Sequence, residues 1–98
     1  MLPPRSDREA RRVLVCLCDP IRFKIVRALQ ATELAAGDIA IVIGRSRATT
    51  SHHLRVLREV SAVTTHREKN VIRYRLADDL TAKVVNAIDA AFDLFLPH

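Results

Sequence analysis

The stretch from Ser46 to Glu59, SRATTSHHLRVLRE, constrains the fold of this chain more than any other. Ser46 suits a helix N-cap, because its hydroxyl can accept a hydrogen bond from a free N–H of the first turn. Thr50, Leu54 and Leu57 recur at helical spacing, which predicts a stripe that packs inward. The other side carries short polar and cationic residues, namely Arg47, Ala48, Ser51, His52 and Arg55. We therefore predict an amphipathic helix with a buried side and a basic, small-sided outer side.

The preceding segment predicts a short helix from about Ala36 to Ile43, followed by a tight turn. Its isoleucines and valine have poor helix propensity and leave a strand as an alternative. Gly44 favours the helix, because glycine suits a helix C-cap. A short helix, a tight turn and a second helix with a polar outer side are typical of a helix-turn-helix, whose second helix enters the DNA major groove.

Two more helices are predicted before this unit. Ser6 to Glu9 is a capping box that opens a helix through about Cys16. Asp19 caps a second helix, Pro20 fits its first position, and it ends near Gln30 or Ala31. In this helix Ile21, Ile25, Val26 and Leu29 are expected inward, and Arg22, Lys24 and Arg27 outward. Residues 32–34 are expected to form a linker.

After the basic helix, the residue patterns of 62–67 and 70–76 predict two strands. Asn70 in the turn between them tolerates a positive φ. A last helix starts at Asp78 and Asp79, with one apolar stripe of Leu80, Val84, Ile88, Ala91, Phe92 and Phe95. The predicted fold is a mainly α winged helix-turn-helix with a small β-hairpin wing: four helices, two strands and a fifth helix. Residues 1–98 are expected to form a single domain, with 1–5 as a tail.

Composition and charge agree with a nucleic-acid partner. The chain has 98 residues and is 49% hydrophobic, more apolar material than one small core readily hides, so we expect a subunit interface. The net charge is +5, yet residues 45–75 alone hold eight Arg or Lys against Glu59 and Glu68, a net +6. This asymmetry predicts a polyanion-binding half; the alternative is a solvated basic surface.

Four segments resemble the ArsR/SmtB family of bacterial winged-helix repressors. Leu17–Ile25 resembles the family's L-A-D-P-x-R-L-x-I, and Glu33–Ala40 resembles E-L-x-V-x-D-L-A. Thr50–Arg58 is similar to V-S-H-H-L-K-V-L-R, and Arg67–Leu76 resembles the wing. The resemblance implies a homodimer joined by the first and last helices. It also implies a roughly palindromic double-stranded DNA operator and release by an effector.

The family's metal positions do not hold ligands in this chain. Its third-helix cysteines correspond to Ala35 and Gly37, which cannot coordinate an ion. Its last-helix site corresponds to Asp78, Leu80, Ala91 and Leu94, where only Asp78 is a ligand type. We therefore expect no metal and no cofactor, and interpret Asp78 as a helix N-cap. Three further positions depart from the family pattern, with Thr50 in place of a usual Val and Ser61 and Lys69 where Gly is common.

Cys16 and Cys18 are the remaining sensor candidates. Residues two apart on a helix point in nearly opposite directions, so these thiols are poorly placed to chelate one ion. Three interpretations stay open: small buried side chains, a thiol-reactive sensor, or a soft-metal site. His66 and His98 are expected to be exposed, and His53 to pack between helices.

We expect bases to be read by Arg47, Ala48, Thr49, Ser51 and His52. Arg45, Ser46 and Arg55 are expected to hold phosphates, and Arg67, Lys69 and Asn70 to contact the backbone or minor groove. The alternative function is a protein-interaction module. An enzyme is disfavoured: only a pair such as Asp38 with His52 offers acid-base chemistry, and no phosphate loop or nucleophile pair is recognisable. No signal peptide or membrane span is recognisable, so the protein is expected in the bacterial cytoplasm, on the nucleoid when bound.

Overall fold

The computed structural model describes residues 6–95, without the side chains of Leu80, Phe92, Leu94 and Phe95; the predicted tail and His98 lie outside this range. The elements, in chain order, are α1 (Asp7–Leu17), α2 (Pro20–Ala31), β1 (Leu34–Ala35), α3 (Ala36–Ile43), α4 (Arg47–Glu59), β2 (Val63–Glu68), β3 (Val71–Leu76) and α5 (Asp79–Phe95). The predicted winged helix-turn-helix is confirmed, and α3 is a helix rather than a strand.

The predicted caps start the helices. Ser6 Oγ accepts from the Glu9 N–H at 3.2 Å, and Asp19 Oδ1 accepts from the N–H groups of Ile21 at 2.8 Å and Arg22 at 3.0 Å. Asp78 Oδ1 accepts from the Thr81 N–H and hydroxyl, each at 2.9 Å, at the start of α5. These bonds satisfy amides that have no partner within the helix.

The wing is part of a three-stranded antiparallel sheet in the order β1-β3-β2. Strand β1 pairs Leu34 with Tyr74 and Ala35 with Arg73. Leu34 therefore lies in a strand, and the prediction that it belongs to a linker is wrong. Two residues are too few to show an alternating pattern, so this strand is set by its pairing with β3 rather than by local sequence.

One core joins all five helices and the base of the wing. Its largest fully buried side chains include Ile25 and Val26 of α2, Ile39 of α3, and Leu54 and Leu57 of α4. The inward stripe predicted for α4 is therefore confirmed. Each such side chain contributes about 1.5–3 kcal/mol through burial.

Two helices differ from prediction in which side they bury. Arg22 is half-buried rather than outward, because its Nε donates to the Cys16 carbonyl at 2.9 Å. On α5 the fully buried residues are Thr81 and Val85, which the predicted stripe omitted. Val84 and Ile88 are half-buried and Ala91 is exposed, while Leu80, Phe92 and Phe95 have no described side chains. Val84 and Ile88 pack against the core, so this part of the predicted α5 stripe is confirmed.

Candidate nucleic-acid interface

A tight turn, Gly44–Ser46, sets the angle between α3 and α4. Gly44 has φ 66° and ψ 40°, a left-handed conformation that glycine adopts without a Cβ clash. Its N–H donates to the Ile41 carbonyl at 3.2 Å, and the Arg45 N–H donates to the Ala40 carbonyl at 3.1 Å. This C-cap ends α3 and turns the chain into α4 within three residues.

The first turn of α4 is held by hydroxyl groups. Ser46 Oγ accepts from the Thr49 N–H at 3.1 Å and donates to Thr49 Oγ1 at 3.1 Å. Thr50 is 0% exposed, and its hydroxyl donates to the Ser46 carbonyl at 2.8 Å. The hydroxyl that replaces the family's usual valine is therefore satisfied inside the core.

The outer side of α4 is open to solvent along its length. Every residue predicted to contact DNA from this unit is exposed, namely Arg45, Ser46, Arg47, Ala48, Thr49, Ser51, His52 and Arg55. Arg47 also contacts α3, since its Nη1 lies 3.3 Å from the position that a Cβ on Gly37 would take. The residues share one surface, as a recognition helix requires.

The wing tip is a two-residue turn. Lys69 has φ 49° and Asn70 has φ 69°, and the pair Glu68 and Val71 closes the hairpin on either side. The positive φ predicted for Asn70 is confirmed, and Lys69 keeps the backbone that glycine would take there. Arg67, Lys69 and Asn70 are all exposed.

The outer face of the sheet carries a charge network. Glu33, between α2 and β1, lies 3.2 Å from His66 Nε2 and 3.7 Å from Arg75. Glu68 lies 3.4 Å from Arg73. His66 was expected to be exposed, and the structure shows it half-buried. Arg73 and Arg75 of the basic segment are thus neutralised within the wing, a pairing that sequence spacing does not show.

The inner side of α4 carries a second histidine. His53 is half-buried, and its Nδ1 is buried without a hydrogen-bond partner among the described residues. Burial lowers the pKa of His53, while the nearby Asp19 carboxylate acts in the opposite direction. The pKa of Asp19 is itself lowered, mainly by the hydrogen bond from the Arg22 N–H. The half-burial of His53 agrees with the predicted role in helix packing, and this burial disfavours its charged form.

The two cysteines lie in different environments. Cys16 is 4% exposed in the core, and Cys18 is exposed at the end of α1; both are free thiols. Burial raises the pKa of the Cys16 thiol in spite of the Arg22 guanidinium beside it. Among residues 6–95, no group of three or more His, Cys, Asp and Glu side chains is placed to hold a metal ion.

The fold and the exposed basic helix define a winged helix-turn-helix protein. A family model described as a helix-turn-helix domain matches residues 17–66. The biofilm growth-associated repressor of Agrobacterium fabrum is 33% identical over 92 residues, covering 91% of this chain and 79% of the relative. In the part of the chain that the structure describes, no helix is long and apolar enough to cross a membrane.

Solved structures agree with these relatives. The transcriptional repressor BigR of Xylella fastidiosa superposes with a TM-score of 0.78 at 33% identity, covering 93% of this chain and 90% of BigR. A homodimeric winged helix-turn-helix DNA-binding domain of Mycobacterium bovis, a possible ArsR-family regulator, has a TM-score of 0.81 at 26% identity, covering 94% and 91%. The chain belongs to the ArsR/SmtB family of winged helix-turn-helix transcriptional repressors.

Proposed function

We propose that two copies of this chain bind a palindromic DNA operator and repress transcription from it. The observation that carries the proposal is the shared exposure of eleven residues on α4, the preceding turn and the wing tip, all on elements fixed by one core. Arg47, Ala48, Thr49, Ser51 and His52 face bases in the major groove. Arg45, Ser46 and Arg55 hold phosphates, and Arg67, Lys69 and Asn70 reach the backbone or minor groove.

Charge supports this placement. Of the eight cations between residues 45 and 75, Arg73 and Arg75 lie beside carboxylates of the wing network. Within residues 6–95 the other six, Arg45, Arg47, Arg55, Arg58, Arg67 and Lys69, form no ion pair. Unpaired cations on exposed positions are available to phosphates, and their binding releases counterions from DNA.

An apolar surface supports the dimer. Leu14 is 44% exposed on α1 and borders a groove of about 430 Å³ whose lining includes Phe23 of α2 and Ile88 of α5. We assign this surface, together with the exposed side of α5, to the second copy. Two domains on half-sites one helical turn apart sum their contacts, which one small domain cannot match.

A gel shift on the region upstream of the chain's own gene, with random DNA as competitor, tests the proposal. We expect a complex that survives excess random DNA, with sedimentation of the free protein as a dimer. Leu14→Asp should give a monomer with weakened operator binding. Failure to bind DNA at low salt, with the dimer intact, would instead favour a protein-interaction module. The bound protein is expected on the nucleoid in the bacterial cytoplasm, with no catalytic role.

A further inference from the structure

A second groove, separate from the DNA-facing side chains, lies between α1 and the C-terminal half of α4. Its volume is about 630 Å³, within the roughly 300–1,000 Å³ typical of small-molecule sites. Residues of α1 form one wall, and Val56 of α4 and Val60, which follows α4, form the other. The floor includes Cys16 and Arg22.

The α1 wall is strongly cationic. Arg8, Arg11, Arg12 and Val15 line the groove at the spacing i, i+3, i+4 and i+7, so they share one side of the helix. The three arginines are exposed, and within residues 6–95 none of them pairs with a carboxylate. Among the described lining residues, Asp7 is the only carboxylate, against four guanidinium groups including Arg22.

The rest of the groove is apolar. Val15 is 70% exposed beside the arginines, and Val56 and Val60 are half-buried opposite it. Arg22 is fixed at the floor because its Nε donates to the Cys16 carbonyl at 2.9 Å. Guanidinium groups bind carboxylates through paired hydrogen bonds, whereas exposed valines gain from covering by an apolar group.

We propose that this groove binds a small organic anion, with one carboxylate-type head on the α1 arginines and a short apolar body against Val15, Val56 and Val60. An inorganic anion would leave Val15 exposed to water, and an uncharged apolar molecule would leave the arginines without a partner. Because one wall of the groove is charged and the other is apolar, the groove fits a ligand that has a charged part and an apolar part.

The groove is distinct from the surface assigned to the second copy. That surface centres on Leu14, and successive helix residues point about 100° apart, so Leu14 and Val15 face different directions. The groove is formed by the free protein, so this site does not depend on DNA binding.

Titration of the whole chain with octanoate, followed by calorimetry and by NMR of labelled protein, tests the proposal. We expect one site per chain, with the largest shift changes at Val15, Val56 and Val60, and much weaker binding of octanol. Arg11→Gln with Arg12→Gln should lower octanoate affinity by roughly tenfold or more, because two charge-assisted contacts are lost. Lys24→Gln with Arg75→Gln removes two exposed cations elsewhere and should change the affinity less than about twofold.

Three results would overturn the proposal. The first is equal octanoate affinity in the two double variants. The second is a set of shift changes centred on Leu14 and Phe23, which would mark a general apolar surface. The third is an octanoate effect confined to the monomer–dimer equilibrium, which would assign the groove to the second copy. Val15→Ser, an exposed change that should preserve the fold, is expected to weaken octanoate binding as well.

Discussion

The guanidinium of Arg47 lies over Gly37, with its Nη1 3.3 Å from where a Cβ would stand on that glycine. Arg47 begins the recognition helix and Gly37 is in the first turn of α3, so the contact joins the two helices of the helix-turn-helix. The family resemblance places Gly37 where a cysteine of the third-helix metal site would stand. In this chain the position lets an arginine approach the α3 backbone.

Substitution by alanine should have opposite effects on the free energy of unfolding at Gly37 and at Gly44. Gly37→Ala should raise the free energy of unfolding by about 0.5–1 kcal/mol, because alanine favours a helix and the Arg47 tip can shift by a few tenths of an ångström. Gly44→Ala should lower it by about 1–2 kcal/mol, because φ 66° strains an L residue although no atom lies within 4 Å. Urea denaturation of both variants measures the difference. Destabilisation by Gly37→Ala would mean that the Arg47 side chain cannot move away from the added Cβ.

Base-reading and phosphate-holding residues should differ in their effects on DNA affinity. Arg47→Ala or His52→Ala is expected to weaken operator binding by about 1–3 kcal/mol, with a smaller loss on random DNA. Lys69→Ala should weaken both alike and reduce the slope of log affinity against log salt by about one unit if Lys69 meets a phosphate. Footprinting and salt titration measure these effects. Equal losses on operator and random DNA would remove Arg47 from base readout.

Backbone strain at Lys69 can be separated from its charge. Lys69→Gly and Lys69→Ala remove the same cation, but only glycine relaxes the φ of 49°. The glycine variant should therefore be about 1 kcal/mol more stable than the alanine variant, with the same DNA affinity. Thermal unfolding compares them. Equal stability would show that the wing turn tolerates a side chain at no cost.

Stability should depend on pH through His53. Its pKa is lowered in the folded protein by burial, so the unfolded chain binds the proton more readily. The neutral ring's contribution is complete above the unfolded pKa of about 6.5 and is lost as the pH falls from there through the lowered folded value. His53→Gln should flatten this loss in denaturation curves between pH 7 and pH 5. An unchanged loss of stability in the His53→Gln variant would contradict this origin.

The cysteines should react at different rates. A disulfide reagent such as dithionitrobenzoate is expected to label Cys18 quickly and Cys16 only on unfolding, because Cys16 is 4% exposed and its pKa is raised by burial. Cys18→Ser should abolish the fast phase. DNA release by oxidant or metal that persists in a Cys18→Ser variant would exclude the exposed thiol as a sensor, whereas loss of the response would favour the sensor interpretation.

Local signals predicted most of the fold, because caps and periodicity act within a few residues. Ser46, Asp19 and Gly44 predicted helix ends that the structure confirms. The residues predicted to face inward on α4 are also buried. Two of the features that were missed depend on contacts distant in sequence. Strand β1 requires β3, and the burial of His66 requires Glu33 across the sheet.

The sequence predicted which residues belong to the candidate site, but not which contacts their side chains make. Spacing placed the outer residues of α4 on one side, and the structure leaves all of them exposed. It could not show that Arg47 contacts Gly37, or that Arg73 and Arg75 are neutralised by carboxylates. Those contacts depend on how α3 and the sheet pack, which residue periodicity does not encode.

The two-residue strand β1 affects how the wing would be positioned when the protein binds DNA. Its pairs, Leu34 with Tyr74 and Ala35 with Arg73, join the entry of α3 to the central strand of the wing. These pairs restrain the base of the hairpin relative to the helix pair. A restrained wing loses less orientational entropy at a duplex, so this short ladder would favour binding without touching a nucleotide.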